Sequence, residues 1–170
     1  MFHRLTAQDH RLIEALARRR TSPVLARGFR LVTHAGGATA TVSCSLLLML
    51  FPATRHLGCV TGVANLVSHL FVQTLKRAVV RARPTTVQPH VTPLAGIPDH
   101  FSFPSGHACA AMAIAVPTLL AVPSAGFPLL ALALAVGASR VYLRVHYATD
   151  VLVGQLLGAG AGVLAHLALP

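Results

Sequence analysis

The sequence predicts an all-α, polytopic helical membrane protein with about five transmembrane helices and an N-terminal amphipathic interfacial helix. Three observations predict it. Hydrophobic residues make up 54% of the chain and charged residues only 11%. Four stretches, 31–51, 57–75, 108–139 and 151–170, contain no Asp, Glu, Lys or Arg, and each reaches the roughly 18 to 20 residues that a spanning helix needs. The third is too long for one span and carries Pro117, Pro123, Gly126 and Pro128, so it reads as a tight helical hairpin. That brings the spans to five.

At 170 residues the chain is read as a single domain, 1–170. Residues 1–20 set Leu5, Leu12, Ile13 and Leu16 against Arg4, Arg11, Arg18, Arg19 and Arg20. This suits an amphipathic helix in the membrane interface; the alternative is a disordered basic tail. No secretory signal is expected, because the first 30 residues hold seven Arg and no apolar h-region. Span one covers about 31–51. Span two covers about 57–76 and continues as helix through Arg83. Residues 84–104 contain Pro84, Pro89, Pro93, Pro98 and Pro104, which predicts an irregular loop. Span three starts near Ser105, span four ends near Tyr142, and span five starts near Asp150. In span five Gly154, Gly158 and Gly162 recur every four residues, a face for close helix packing. Cys44, Cys59 and Cys109 are odd in number and lie in or beside apolar segments, so packed free thiols are expected. The net charge of +10 points to anionic lipid headgroups, because a chain this apolar is a poor candidate for nucleic-acid binding.

Three constellations carry chemistry. In the first, Lys76 and Arg83 stand seven residues apart, about two helical turns, and so on one side of a helix that Pro84 ends. A basic patch at a span terminus is the plainer alternative. In the second, Pro104-Ser105-Gly106-His107 precedes an apolar helix. Ser105 can cap it, Gly106 admits a ligand to the backbone, and the helix N-terminus cradles an anion beside His107 as proton donor. An ordinary capped helix with an interfacial His is equally open. In the third, His146 and Asp150 lie four apart, on one face of a helix, with Arg140 upstream. The carboxylate can fix the His tautomer and compensate its charge, and the guanidinium offers a planar fork to phosphate. The alternative is an interfacial His–Asp pair with snorkelling arginines. The first two clusters flank one loop, and the hairpin returns the third to the same membrane face. Ionisable groups at membrane depth carry a functional expectation.

Taken together, these residues resemble the type 2 phosphatidic acid phosphatase family of membrane lipid phosphatases, whose signature reads K-x6-R-P, P-S-G-H, then S-R-x5-H-x3-D. Here it stands as Lys76…Arg83-Pro84, Pro104-Ser105-Gly106-His107 and Ser139-Arg140…His146…Asp150. The resemblance implies hydrolysis of a lipid phosphate monoester or diphosphate through a phosphohistidine. His146 would be the nucleophile, His107 the proton donor and Asp150 the orienting group. Lys76, Arg83, Ser105, Gly106 and Arg140 would bind phosphate. No metal or cofactor is expected, since Lys and Arg replace a divalent cation. Arg81 and Arg144 lie near the site but outside the signature; recruiting anionic headgroups and sitting in the interface are both open to them, and the interfacial reading is favoured. Phe101 and Phe103 could line a lipid path or pack beneath the loop.

The substrate class stays open between phosphatidic acid, phosphatidylglycerophosphate or lipid A phosphate types and a polyprenyl diphosphate or polyprenyl-phosphosugar phosphate. A non-catalytic membrane scaffold retaining the motifs is the alternative of another class. Oligomeric state is open. Under this topology thirteen of the fourteen Lys and Arg share the side of the site and only Arg55 lies opposite. The positive-inside rule then turns the site to the cytoplasm of a bacterial plasma membrane, whereas many bacterial members of the resembled family act on the outer face.

Overall fold

The computed structural model describes residues 2–97 and 99–169. Among the described residues eight helices follow in order: α1 Phe2–Arg18, α2 Pro23–His34, α3 Ala38–Leu50, α4 Arg55–Val79, α5 Pro84–Val87, α6 Gly106–Ala121, α7 Pro123–Tyr142 and α8 Ala148–Ala168. By length and composition α4, α7 and α8 can each cross a membrane. The bent pair α2 and α3 forms a fourth candidate, its halves meeting at 46° across residues 35–37. Span one is therefore broken where a continuous helix over 31–51 was expected. Gly36 sits in the break, and a Cβ there would stand 2.6 Å from the His107 carbonyl oxygen. The bend brings α2 against the site instead of running straight past it. α6 has 16 residues, about 24 Å of helix. It is shorter than a full span and sits at the centre, with most of its residues buried.

The expected hairpin is present. α6 stops at Ala121 and α7 begins at Pro123, and a Cβ on Gly126 would lie 2.1 Å from Leu119 Cα. The glycine face of α8 meets α6: added Cβ atoms at Gly154 and Gly158 would stand 2.4 Å from Ser105 O and 2.0 Å from Cys109 O. Small residues thus let the two backbones touch, the packing that stabilises helices where lipid offers no hydrophobic drive. All three cysteines are free, with Cys109 buried.

α1 is helical as expected, but it faces inward as well as outward. Ile13 is fully buried with Val91 and Tyr147, while Leu12 remains exposed. The proline-rich segment holds the single turn α5 and one bridge between Ala82 and Phe101. Helix α4 does not continue to Arg83. It ends at Val79, where Val80 adopts a left-handed backbone with φ 46°, which places the next residues off the helix axis.

Candidate active site

The three constellations meet at one end of the bundle, where α4, the loop, the N-terminus of α6 and the α7–α8 connection converge. Although the helix breaks between them, Lys76 and Arg83 reach the same carboxylate. Lys76 Nζ donates to Asp99 Oδ2 at 2.6 Å and Arg83 Nη2 to Asp99 Oδ1 at 2.9 Å. Partial burial pushes the Asp99 carboxyl up, but the two cations outweigh it and hold it below the usual carboxylate range. Arg83 is further fixed by donating to two backbone carbonyls, Asp99 O and Val145 O, both at 2.7 Å.

His146 and Asp150 do not share a helix. His146 lies in the connection, and Asp150 is the third residue of α8, reaching back to accept from the Tyr147 N–H at 2.9 Å as a capping carboxylate does. The nearest approach of His146 Nδ1 to Asp150 Oδ2 is 3.8 Å, whereas Nδ1 lies 2.6 Å from the Ser102 carbonyl oxygen. A carbonyl only accepts, so Nδ1 carries the proton and Nε2 keeps its lone pair. Arg83 Nη1 stands 3.3 Å from that Nε2. The expected direct Asp–His orientation is thus replaced by one through the loop: the Ser102 hydroxyl donates to Asp150, and the Ser102 carbonyl holds His146. Burial, reinforced by Arg83 and Arg140 and opposed by Asp150, pushes the His146 pKa down to about 4. The imidazole is neutral near pH 7.

Asp150 also accepts from Arg81 Nη1 at 2.6 Å, and Arg81 Nη2 donates to Asp9 Oδ2 on α1 at 2.8 Å. The Arg81 guanidinium rests 4.1 Å above the Tyr147 ring, and Thr149 closes the network on Asp9. Arg81 is therefore a structural part of the site and not the interfacial residue its sequence context suggested. Arg144 is likewise buried, its guanidinium donating to Leu16 O and Thr21 Oγ1 at 2.8 and 2.9 Å.

The remaining donors are less committed. Ser105 is the N-cap residue of α6, but its side chain makes no capping bond, and its buried Oγ has no hydrogen-bond partner. The Ser105 N–H is bound to Asp150 O at 2.9 Å, so the first-turn N–H groups that lack intrahelical acceptors begin at Gly106. Arg140, 2% exposed, donates from Nη1 to Thr33 Oγ1 at 2.9 Å, while its Nε and Nη2 have no partners. These buried polar atoms without partners mark where a ligand's oxygens would be welcome.

A cavity of about 640 Å³ opens from this cluster. Lys76, Arg83, Asp99, Gly106, His107 and His146 line its head, and it descends between α3 and α4 past Asn65, Leu66, Val42 and Leu46 to Met49 and Cys59. Neither Phe101 nor Phe103 lines it. Among the described residues no group of three or more His, Cys, Asp or Glu is gathered to hold a metal ion.

Sequence reasoning missed Asp99, Ser102, Asp9 and Thr33. One signal was available for the acids. The chain has only four Asp and Glu, and Asp9, Asp99 and Asp150 each hold a cation of the site, as an acid in an apolar chain must.

The family model for the PAP2 superfamily matches residues 53–170. The decaprenylphosphoryl-5-phosphoribose phosphatase of Mycobacterium tuberculosis is 37% identical over 114 residues, 66% of this chain and 62% of that protein's length. This chain therefore spans less than two thirds of that relative. The enzyme of the same description from Mycolicibacterium smegmatis is 32% identical over 152 residues, covering 86% of this chain and 81% of the relative. Among solved structures, the transmembrane PAP2-type phosphatidylglycerolphosphate phosphatase of Bacillus subtilis superposes with a TM-score of 0.79 at 26% identity, over 94% of this chain and 83% of that one. With its membrane-crossing helices and this transmembrane neighbour, the chain is an integral membrane protein.

Proposed function

Because the chain belongs to the PAP2 superfamily, we propose that it is a lipid phosphatase that hydrolyses a phosphate monoester or diphosphate through a phosphohistidine. One observation carries the reading: a neutral His146, with Nδ1 spent on Ser102 O, presents Nε2 to a cavity whose head is lined by Lys76, Arg83 and His107. In this reaction His146 Nε2 attacks phosphorus, the bond from phosphorus to the lipid oxygen breaks, and His107 gives that oxygen its proton. Water then attacks the phosphohistidine, surrendering a proton to His107, and orthophosphate leaves. Lys76, Arg83, Arg140, the Ser105 hydroxyl and the N–H groups from Gly106 onward balance charge on the equatorial oxygens. Asp150 positions His146 through Ser102.

The same reading treats 1–170 as one domain, with 1–20 as an interfacial helix and 84–104 as the active-site loop. The substrate's chain occupies the groove between α3 and α4. From Lys76 to Cys59 it follows eighteen residues of α4, about 25 Å, which favours a long single chain such as a polyprenyl group. The wild-type chain and His146→Ala are compared for phosphate release from a panel of lipid phosphates in EDTA-treated detergent micelles. Turnover by the wild type and none by the variant is expected; undiminished release by the variant refutes the assignment.

The charge asymmetry supports a site facing the cytoplasm of a bacterial plasma membrane. Single cysteines at exposed His100 and Arg55, in a chain without Cys44, Cys59 and Cys109, test it in intact cells. Labelling from outside at position 55 alone is expected, and labelling at position 100 alone reverses the orientation.

A further inference from the structure

A second cavity, about 460 Å³, lies on the other side of His107. Its lining is Arg30, Thr33 and His34 of α2, Ala95–Ile97 of the loop, and His107 and Arg140. The two cavities differ in kind. The groove between α3 and α4 is walled mostly by apolar side chains below its head, with the uncharged polar Thr41, Ser45, Asn65 and Gln73 and the His69 imidazole among them. The second cavity brings together two guanidiniums and two imidazoles, and among the described residues no carboxylate lines it. Among the described residues His107 is the one side chain that lines both.

Its cations are held in place yet keep donors free. Arg30 Nε donates to Leu94 O at 2.6 Å, which anchors the arm and leaves the terminal nitrogens directed elsewhere. Arg140 is anchored by Thr33 through Nη1, and its buried Nε and Nη2 have no partners. A hydrocarbon chain gains nothing beside such groups, and an anion gains charge-assisted hydrogen bonds.

Resting on the phosphatase reading, we propose that this cleft binds a second phosphoryl group carried by the leaving group. In the proposed reaction the departing oxygen is the one His107 protonates, so whatever is attached to that oxygen starts at His107. A second phosphate attached there directly, as in a polyprenyl diphosphate, or through a sugar, as in a polyprenyl-phosphosugar phosphate, meets Arg30 and His34, and the polyprenyl tail that this second phosphate carries turns back past His107 into the groove between α3 and α4. A simple lipid monophosphate has nothing to place in the cleft. Arg30 and His34 are then specificity residues that α2 delivers because span one is bent.

The test uses the full chain in detergent and three substrates with the same polyprenyl tail: the monophosphate, the diphosphate and the phosphoryl-ribose 5-phosphate. Arg30→Gln is expected to lower kcat/KM at least tenfold on one or both two-phosphate substrates and less than twofold on the monophosphate. Which of the two responds distinguishes an anhydride-linked second phosphate from one linked through a sugar. Gly96 supplies a control on folding, since an added side chain there meets nothing within 4 Å. Gly96→Glu should weaken, and Gly96→Lys strengthen, the two-phosphate substrates relative to the monophosphate. Equal effects on all three substrates, or none, overturn the proposal. If the wild type releases phosphate from none of them, the phosphatase reading fails instead. The cleft is then judged by binding of methylenediphosphonate against orthophosphate: a tenfold loss for the diphosphonate alone in Arg30→Gln sustains it, and unchanged or parallel binding overturns it.

Discussion

The two halves of the site are built on opposite plans. Around His146 every oxygen of Asp150 is engaged: Ser102, Tyr147 and Arg81 donate to it, and Arg81 carries the network on to Asp9 of α1. Around the proposed phosphate position donors are left uncommitted, with Ser105 Oγ and Arg140 Nε and Nη2 unpartnered. Lys76 and Arg83 share one partly exposed carboxylate. The saturated half fixes the geometry of one nitrogen lone pair. The unsaturated half holds donors at Ser105 and Arg140 ready for oxygens that arrive with the substrate, and only the bonds of Lys76 and Arg83 to Asp99 compete with them.

The largest expected effect breaks the saturated half. Asp150→Ala leaves the Ser102 hydroxyl and the Tyr147 N–H without their acceptor and Arg81 with only Asp9 and Thr149. Removing one partner of a buried charge network costs about 3 kcal/mol or more. The expected outcome is a fall of several degrees in Tm together with loss of turnover. A variant with native Tm and native kcat would show that the network does not hold His146.

Arg140→Gln should separate the two plans. The only described hydrogen bond of its side chain is to Thr33, and a buried guanidinium with unpartnered nitrogens contributes little to folding. A fall of about 10² to 10³ in kcat/KM, the range for losing a donor to a developing oxyanion, should come with an unchanged Tm. A matching loss of stability would mean that Arg140 belongs to the scaffold.

This contrast also marks what the sequence could reveal. The signature residues, the hairpin and the glycine face of α8 are local patterns: fixed spacing, proline punctuation, a period of four. They could be read directly, and the structure brings the signature residues together at one end of the bundle. Asp99, Ser102, Asp9 and Thr33 act across separations of 16 to 107 residues, from loop and terminal segments whose spacing carries no period. The break in span one was hidden for a related reason: residues 31–51 are uniformly free of Lys, Arg, Asp and Glu, and uncharged composition does not report a bend. The direct His146–Asp150 bond was expected from four-residue spacing, but α8 starts only at Ala148, so the spacing is not helical there.

Acid should act first on the saturated half. The folded His146 titrates near 4, whereas a free imidazole titrates near 6.5. Between those values the unfolded chain binds a proton that the folded chain refuses, so stability rises with pH. This contribution is complete above pH about 6.5 and is lost as pH falls toward 4. Denaturation midpoints should therefore decline across that window in wild type and be flatter in His146→Ala. The acid limb of kcat/KM due to the nucleophile should lie near 4; a limb centred at 6.5 would place a solvated, unheld imidazole at position 146.

The smallest effect concerns Asp99, whose carboxylate faces both cations that the phosphate must meet. Asp99→Asn removes a charge that competes with a phosphate for Lys76 and Arg83. Arg83 does not need that charge to stay in place, because Asp99 O and Val145 O hold it through the backbone. The same like-charge relief should tighten orthophosphate inhibition. A drop in KM and in the inhibition constant of about three- to tenfold is expected, of the order of one screened charge pair near a protein surface, with kcat nearly constant. If KM rises instead, the carboxylate organises Lys76 more than it competes, and the cation half is then built on the same saturated plan as the nucleophile half.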